Sequence, residues 1–337
     1  MSEVLEKMTS KTTSANDADT IRQLVTGYQV ARALLAADEI GLLGHLQDKP
    51  KSNSELAILT GSHEPTLARF IRALAAVNLV NVNDDGQVSR GPLADSLRDA
   101  ARIGVENYKA WSELPYTLRT GEPAFDQVFG KGFYEYLDSE PEKAERFNVA
   151  LASVSRGWIP GVLEAVDFSG VRTVADIGGG HGAFLAELLS THPHLGGILV
   201  DQAPVLSHAE KVFAAKGVQD RCRLEPSNFL VSLPSGACVS MLCNLLTDWD
   251  DDHASLILRN CRAAMGDSGQ IVVVDRVLPP VSDPGHRSAA FLDLFFLVLE
   301  GGRIRTGQEF ERLFEAAGFR LARSVPVGAG FYVLQSG

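Results

Sequence analysis

Apolar positions change their period along the chain, and the change separates two kinds of architecture. Ile21, Leu24, Val25, Tyr28, Ala31 and Leu35 recur at the spacing of one helix face. That helix carries more apolar surface than a solitary helix tolerates, so it needs a partner, either the rest of the chain or a second subunit. Ser52, Asn53 or Ser54 can cap a helix running through 55–59, and Glu64 with Pro65 opens another with Leu67, Phe70, Ile71 and Leu74 on one face. Residues 79–82, the turn Asn83-Asp84-Asp85-Gly86 and residues 87–89 then read as strand, turn and strand. Three helices followed by a hairpin is the order of a winged helix-turn-helix.

Residues 103–160 are mostly helical in pattern and rich in aromatics, from Trp111 and Tyr116 through Phe125, Phe129, Phe133, Tyr134, Tyr136 and Phe147 to Trp158. They suit core packing, and they equally suit the wall of a pocket for a flat aromatic molecule. From Val171 onward, short apolar strands alternate with helical segments. Strands are expected at 171–177, 197–200, 221–225, 239–242 and 271–274, with a final pair near 321–327 and 331–334. Such alternation defines a doubly wound α/β sheet.

The first of these strands runs into Asp176-Ile177-Gly178-Gly179-Gly180-His181-Gly182. Glycines there permit a sharp turn and let a ligand approach bare backbone. The second strand ends in Asp201, an acid able to accept hydrogen bonds from ribose hydroxyls. Gly178, Gly180 and Ala183 fit the dinucleotide pattern G-x-G-x-x-A, whereas Gly178, Gly180 and Gly182 fit G-x-G-x-G, the S-adenosylmethionine (SAM) pattern. Further polar words follow: His192-Pro193-His194, Asp201-Gln202-Ala203-Pro204, Ser227-Asn228-Phe229 and Thr247-Asp248-Trp249-Asp250-Asp251. All four are expected at the C-terminal edge of the sheet, where ligands bind.

Charge and composition narrow the field. Of 337 residues, 31 are Lys or Arg and 42 are Asp or Glu, a formal net charge of −11. That balance argues against non-specific binding to nucleic acid or anionic membranes, and the winged helix adds Glu64, Asp84 and Asp85 where phosphates would lie. The apolar stretch 289–299 contains Asp293 and falls short of the roughly 18 residues a membrane span needs. The polar start, with no apolar run, does not read as a signal peptide. Cys222, Cys238, Cys243 and Cys261 form no CxxC pair, which suits a reducing cytoplasm and no metal site.

Asp-Ile-Gly-Gly-Gly-His-Gly, His-Pro-His, Asp-Gln-Ala-Pro-Val, Asp-Trp-Asp-Asp and Gly-Gly-Arg-Ile-Arg-Thr-Gly-Gln-Glu-Phe, in this order, resemble the SAM-dependent O-methyltransferases of the caffeate and hydroxyindole type, including bacterial antibiotic-pathway members. The resemblance runs from about Ile21 to Leu334. It implies an N-terminal all-α winged-helix dimerisation domain followed by a Rossmann-like SAM-binding domain. The expected division is a disordered tail over 1–18, the winged helix over 19–102, a helical linker with substrate-pocket helices over 103–160, and the catalytic domain over 161–337. It also implies a cytoplasmic homodimer acting on a small aromatic or heteroaromatic secondary metabolite, with S-adenosyl-L-homocysteine as the spent cofactor. Carried over by position, Gly178, Gly180 and Gly182 cradle the cofactor, Asp176 meets its amino acid end or orients the loop, and Asp201 holds its ribose. Asn228 stands where the family has an adenine-binding Asp. Phe229 and Trp249 pack on the adenine, and Cys243 replaces a Lys that touches the cofactor in many plant members.

The catalytic pattern departs from the family. A phenol ionises near about 10, so a base helps, and the plant enzymes place a His before the Asp-Trp pair with two flanking glutamates. Here Thr247, Asp275 and Ile304 occupy those positions. A threonine hydroxyl is no base at neutral pH. The reaction then proceeds by proximity, or through another base drawn from Asp248, Asp293, His253 and His286. A third course is non-methyl chemistry on the same fold, such as hydroxylation or cyclisation. Asp293 is the sole charge in its apolar stretch and, with His286 and Trp158, is expected to face the substrate. Thr247→His is expected to leave the fold intact, the position lining a pocket. A NAD-dependent oxidoreductase and a transcription regulator are the readings from other classes, opposed respectively by the family words and the acidic balance.

Overall fold

The computed structural model describes the backbone of residues 2–100, 104–266 and 269–337, together with their side chains outside 2–15, 98–100, 148–150 and 152–153. The chain divides into two compact units, with the boundary between Tyr108 and Lys109.

The first unit begins with α1 (Ser2–Glu39), then a 3-10 turn (Leu42–Leu46), α2 (Asn53–Thr60), α3 (Glu64–Ala76), β1 (Val80–Val82), β2 (Val88–Arg90) and α4 (Ala94–Ala100). The stretch 1–18, expected as a disordered tail, is instead helical backbone from Ser2 onward. Glu3, Leu5, Glu6, Lys7 and Met8 favour helix, and no Gly or Pro interrupts the run before Gly27. Ser52 is the cap of α2. Its hydroxyl accepts from the Glu55 N–H while the Glu55 carboxylate accepts from the Ser52 N–H at 2.8 Å, a reciprocal capping box. Leu42, Leu56, Leu67, Ile71, Leu74 and Val88 form this unit's core. The hairpin β1–β2 is antiparallel, and its turn closes on Asn83, whose Oδ1 accepts from the Gln87 N–H at 2.8 Å. The α1 stripe is not covered: Ile21, Leu24, Val25 and Tyr28 are 54–66% exposed.

The second unit starts within α5 (Gly104–Ser112) and continues through α6 (Leu114–Thr120), α7 (Ala124–Phe129), α8 (Phe133–Asp138) and the long α9 (Pro141–Ala165). The expected boundary at 160 falls inside α9. Trp158, Ile159 and Val162 keep the helical spacing through Pro160 and are all buried against the sheet, so the helix belongs to the catalytic unit throughout. Phe125 meets Phe133 and Tyr136 edge to face and stacks on Phe129, which itself tilts against Tyr136, so much of the aromatic stretch lies in a helical core.

Seven strands follow: β3 (Thr173–Ile177), β4 (Gly196–Asp201), β5 (Cys222–Pro226), β6 (Val239–Cys243), β7 (Gln270–Arg276), β8 (Leu321–Gly328) and β9 (Phe331–Ser336). They form one sheet in the order β5-β4-β3-β6-β7-β9-β8, parallel except at β9, which runs antiparallel to β7 and β8. Between them run α10 (Ala183–Thr191), α11 (Ala203–Leu206), α12 (Ala209–Lys216), α13 (Asp251–Met265), α14 (His286–Glu300) and α15 (Gly307–Ala316). Because β3 is flanked by β4 and β6, the strand order reverses beside it. A crevice opens there at the C-terminal strand ends.

One of the four polar words lies elsewhere. His192-Pro193-His194 connects α10 to the start of β4 and so lies at the opposite edge of the sheet. Its rings serve packing: His192 Nδ1 pairs with the Leu188 carbonyl and His194 Nε2 with the Phe168 carbonyl.

Candidate functional site

The glycine turn leaves β3 with Gly178, Gly180 and Gly182 all in the left-handed region, at φ of 65°, 60° and 76°. Side chains rarely adopt that backbone, and the space is also closed. A Cβ on Gly179 would lie 2.4 Å from Asp176 Oδ2, and one on Gly182 would lie 2.6 Å from the Phe213 ring. The turn hangs on its neighbours through the Gly178 N–H, which donates to the Val200 carbonyl at 2.8 Å, and the Gly180 N–H, which donates to Asp201 Oδ2 at 2.9 Å. Asp201 also accepts from the Gln202 N–H at 2.7 Å. Two backbone donors fix the carboxylate at the end of β4, with lone pairs remaining for a ligand.

Beneath this turn Asp176 is 1% exposed, and neither of its carboxylate oxygens has a hydrogen-bond partner. Burial, reinforced by the charge of Asp201, pushes its carboxyl up to about 7. An orphaned buried carboxylate of this kind calls for a cationic partner. Further along the edge, Asn228 Oδ1 accepts from the Leu230 N–H at 2.9 Å, and the Phe229 ring meets Trp249 edge-on at 5.8 Å. The Trp249 indole N–H is buried without a partner. Cys243 ends β6, where burial, then Asp176 and Asp275, hold its thiol well above the usual range and hence uncharged.

The second half of the site is built from side chains. Thr247, 1% exposed, turns its hydroxyl onto Asp275 Oδ1 and donates its N–H to Asp275 Oδ2 at 3.0 Å. The position is therefore an occupied core site. A histidine there would displace the Asp275 contact, contrary to the expectation that Thr247→His leaves the fold intact. Asp248 points the other way. The Tyr134 hydroxyl of α8 donates to its Oδ2 at 2.9 Å, and Glu300, the last residue of α14, approaches both groups. The turn carrying Thr247 and Asp248 is clamped by Arg305, fully buried, which donates to the Leu246 and Trp249 carbonyls and to Asp251.

Several expected substrate residues have structural partners. Asp293 Oδ1 accepts from the Ile304 N–H at 2.6 Å, which accounts for a carboxylate in an apolar helix. His286 Nδ1 pairs with the Pro279 carbonyl at 2.7 Å. Trp158 is buried between Phe184 and Phe331, with its indole N–H unpartnered. Asp250 caps the start of α13, its Oδ1 accepting from the His253 N–H at 2.8 Å, and the His253 ring also pairs with that carboxylate. Glu300 and Arg276 carry no signal in the sequence, while Tyr134 stands there only as one of many aromatics and Arg305 only as part of a family word. Tyr134 lies 114 residues from its partner Asp248, and no local spacing marks such a pair.

A parallel sheet that reverses its strand order beside a glycine turn, with an acid closing the neighbouring strand, makes the second unit the catalytic domain of an enzyme using a nucleoside-bearing cofactor. An O-methyltransferase domain model matches residues 111–320. The phenazine O-methyltransferase PhzM of Lysobacter antibioticus is 38% identical over 323 residues, 93% of this chain and 94% of that protein. The structure of the mitomycin 7-O-methyltransferase MmcR matches with a TM-score of 0.89 at 33% identity, covering 97% of this chain and 99% of that one. The structure of the O-methyltransferase NcsB1 from neocarzinostatin biosynthesis, solved with SAM and 2-hydroxy-5-methyl naphthoic acid, matches at 0.81 and 27% identity over 91% and 95% of the two chains.

The chain belongs to the O-methyltransferase family, and SAM is its cofactor. The residues present fit that cofactor: its charged amino acid end suits the unpaired Asp176, and its nucleoside suits the glycine cradle and Asp201.

Proposed function

We propose that the protein transfers a methyl group from SAM to a hydroxyl of a small aromatic or heteroaromatic secondary metabolite. The orphaned Asp176 carboxylate under the glycine cradle carries this reading, because it supplies a buried, unpartnered acid beneath the turn that the ammonium group of a sulfonium cofactor would satisfy. When bound, SAM supplies a methyl group already activated for in-line attack. Gly178, Gly180 and Gly182 hold it by backbone, Asp201 takes the ribose, and Asp176 pairs with the amino acid end. Asn228, Phe229 and Trp249 surround the adenine. A flat hydroxylated acceptor suits the relatives' named substrates, which include a phenazine and a naphthoic acid.

The exposed stripe Ile21, Leu24, Val25 and Tyr28 supports a homodimer formed through the first unit. Four free thiols accord with a cytoplasmic setting. Among the described residues, no helix is long and apolar enough to cross a membrane.

The test uses SAM with a deuterated methyl group, incubated with the protein and a small-molecule extract of a host lacking the gene. A metabolite gaining the label is the expected result. A metabolite that changes only with SAM present, yet gains no label, would overturn methyl transfer in favour of another reaction on the same fold. Light scattering tests the dimer: Val25→Glu with Tyr28→Glu should give a monomer.

A further inference from the structure

Three elements far apart in sequence bring an unusual acid cluster to the ligand edge. Tyr134 comes from α8, Asp248 from the turn after β6, and Glu300 from the end of α14. The Tyr134 hydroxyl donates to Asp248 Oδ2 at 2.9 Å, while Glu300 Oε2 is enclosed without a partner. The cluster is not sealed: Asp248 and Glu300 are part-exposed, and Tyr134 is 50% exposed, so a small molecule can reach it. Its frame is rigid. The Arg303 N–H donates to the Thr247 carbonyl at 2.8 Å, and a Cβ on Gly302 would lie 2.2 Å from that carbonyl. Arg305 holds the turn from its other side.

We propose that Asp248 accepts the proton of the acceptor hydroxyl during methyl transfer, with Glu300 and Tyr134 as its positioning residues. The proposal rests on the methyl-transfer reading above. It supplies the base that Thr247 cannot be, since that hydroxyl is committed to Asp275. In the step, the acceptor oxygen forms the bond to the methyl carbon, and the methyl–sulfur electron pair stays on sulfur. The hydroxyl proton moves to Asp248 and leaves to water with the product.

The surroundings favour this use. Asp248 faces Tyr134 from α8, Glu300 from α14, and Asp275 and Arg276 from β7. Burial raises its carboxyl to about 7, with Asp275 adding to the rise while Tyr134, Arg276 and a hydrogen bond from Glu300 oppose it. Burial and the neighbouring Asp248 also hold Glu300 well above the usual carboxylate range. Two adjacent carboxyls of this kind share one proton at neutral pH, leaving one ionised. Crowding by protein, then the two acids, keeps the Tyr134 phenol well above its ordinary value, so it stays a donor. A base poised near neutrality combines the right protonation state with useful driving force.

Difference infrared spectroscopy of the protein saturated with S-adenosyl-L-homocysteine, titrated between about pH 5 and 9, tests the cluster directly. The wild type should show a carboxylic acid band that ionises near neutrality. D248N should remove it, and E300Q should shift it. Methyl transfer to a hydroxylated phenazine and to the metabolite labelled in the extract gives the second readout. D248N should lower kcat/KM by about 10²–10⁴-fold and abolish the rising limb of the pH profile. It should bind SAM within about threefold of wild type, and a more acidic fluorinated analogue of the acceptor should recover much of the rate.

An unchanged infrared titration in D248N, or an unchanged rate and pH profile, overturns the proposal while methyl transfer stands. If the wild type methylates neither acceptor, the methyl-transfer reading falls and the base falls with it.

Discussion

The cofactor end and the proton end of this site lie along one edge of one sheet, yet they are made of different materials. The cofactor end is backbone. Gly178, Gly180 and Gly182 bend a single contiguous loop, and Gly180 and Gln202 tie it to Asp201. The proton end is side chains gathered from α8, α14, β7 and the turn after β6. A backbone cradle tolerates few changes, because every glycine conformation in it is required. A side-chain cluster can be rewired while the fold stays, which is where this chain departs from the family it resembles.

The sharpest break is at the cradle. Gly182→Ala forces a Cβ into the Phe213 ring at a backbone conformation of φ 76°. Asp201→Ala frees the Gly180 N–H and removes the acceptor proposed for the ribose. Each should weaken SAM binding at least about 100-fold, roughly 3 kcal/mol, by calorimetry. Binding retained within tenfold in both variants would sink the backbone account of this end.

That asymmetry also decides what was legible in the sequence. Glycine spacing, a following helix and an acid one strand later are local signals, and the structure places them together as read. Thr247 and Asp275 were recognised as altered positions, but their bond to each other was not foreseen, since residues 28 apart carry no spacing rule. Asp293 looked functional because a charge in an apolar helix demands a partner. Its partner is the Ile304 N–H, a backbone group invisible to side-chain pattern. His192-Pro193-His194 was misplaced because a word ending a helix was counted with words ending strands. The Tyr134–Asp248–Glu300 cluster depends on helix packing, which no window of sequence encodes.

Asp176 gives the cofactor end a pH response of its own. Its carboxyl is raised to about 7 in the folded protein from an ordinary value of 3.8, so the native state binds more protons than the unfolded chain. The stability this contributes is complete below about pH 4 and is lost as pH rises to about 7. Without cofactor, melting temperature should therefore fall across that window, and less so in Asp176→Asn. SAM affinity should move the opposite way, rising by up to about tenfold per unit as pH approaches 7. Asp176→Asn should weaken SAM binding and remove that pH dependence. A wild-type affinity flat from pH 5 to about 7 would contradict the pairing of Asp176 with the cofactor's charge.

A smaller effect is expected where the proton end meets the core. Thr247→Val keeps the shape but leaves the buried Asp275 carboxylate with one donor fewer, and should cost about 1–3 kcal/mol in denaturant unfolding. Thr247→His should cost at least as much, because the larger ring must displace that contact, and it should not restore a base. A stable, faster Thr247→His variant would mean that the site keeps room for the family's histidine after all.

The smallest effect belongs to Asn228, and it tests how far the cofactor end is backbone in kind. The Asn228 Oδ1 accepts from the Leu230 N–H at 2.9 Å, which closes a local turn after β5. A carboxylate oxygen can accept from the same N–H, so Asn228→Asp restores the family residue without disturbing the turn. What changes is the other side-chain atom, from an amide donor to an acceptor, which is the atom proposed to meet the adenine. One exchanged hydrogen bond on an exposed edge is worth about 0.5–1.5 kcal/mol, so SAM affinity should shift by less than about tenfold. Asn228→Ala removes the turn's acceptor as well and should be the worse of the two. Should Asn228→Asp cost as much as Asp201→Ala, the adenine side would be governed by side-chain chemistry, and the contrast between the two ends would hold only at the glycines.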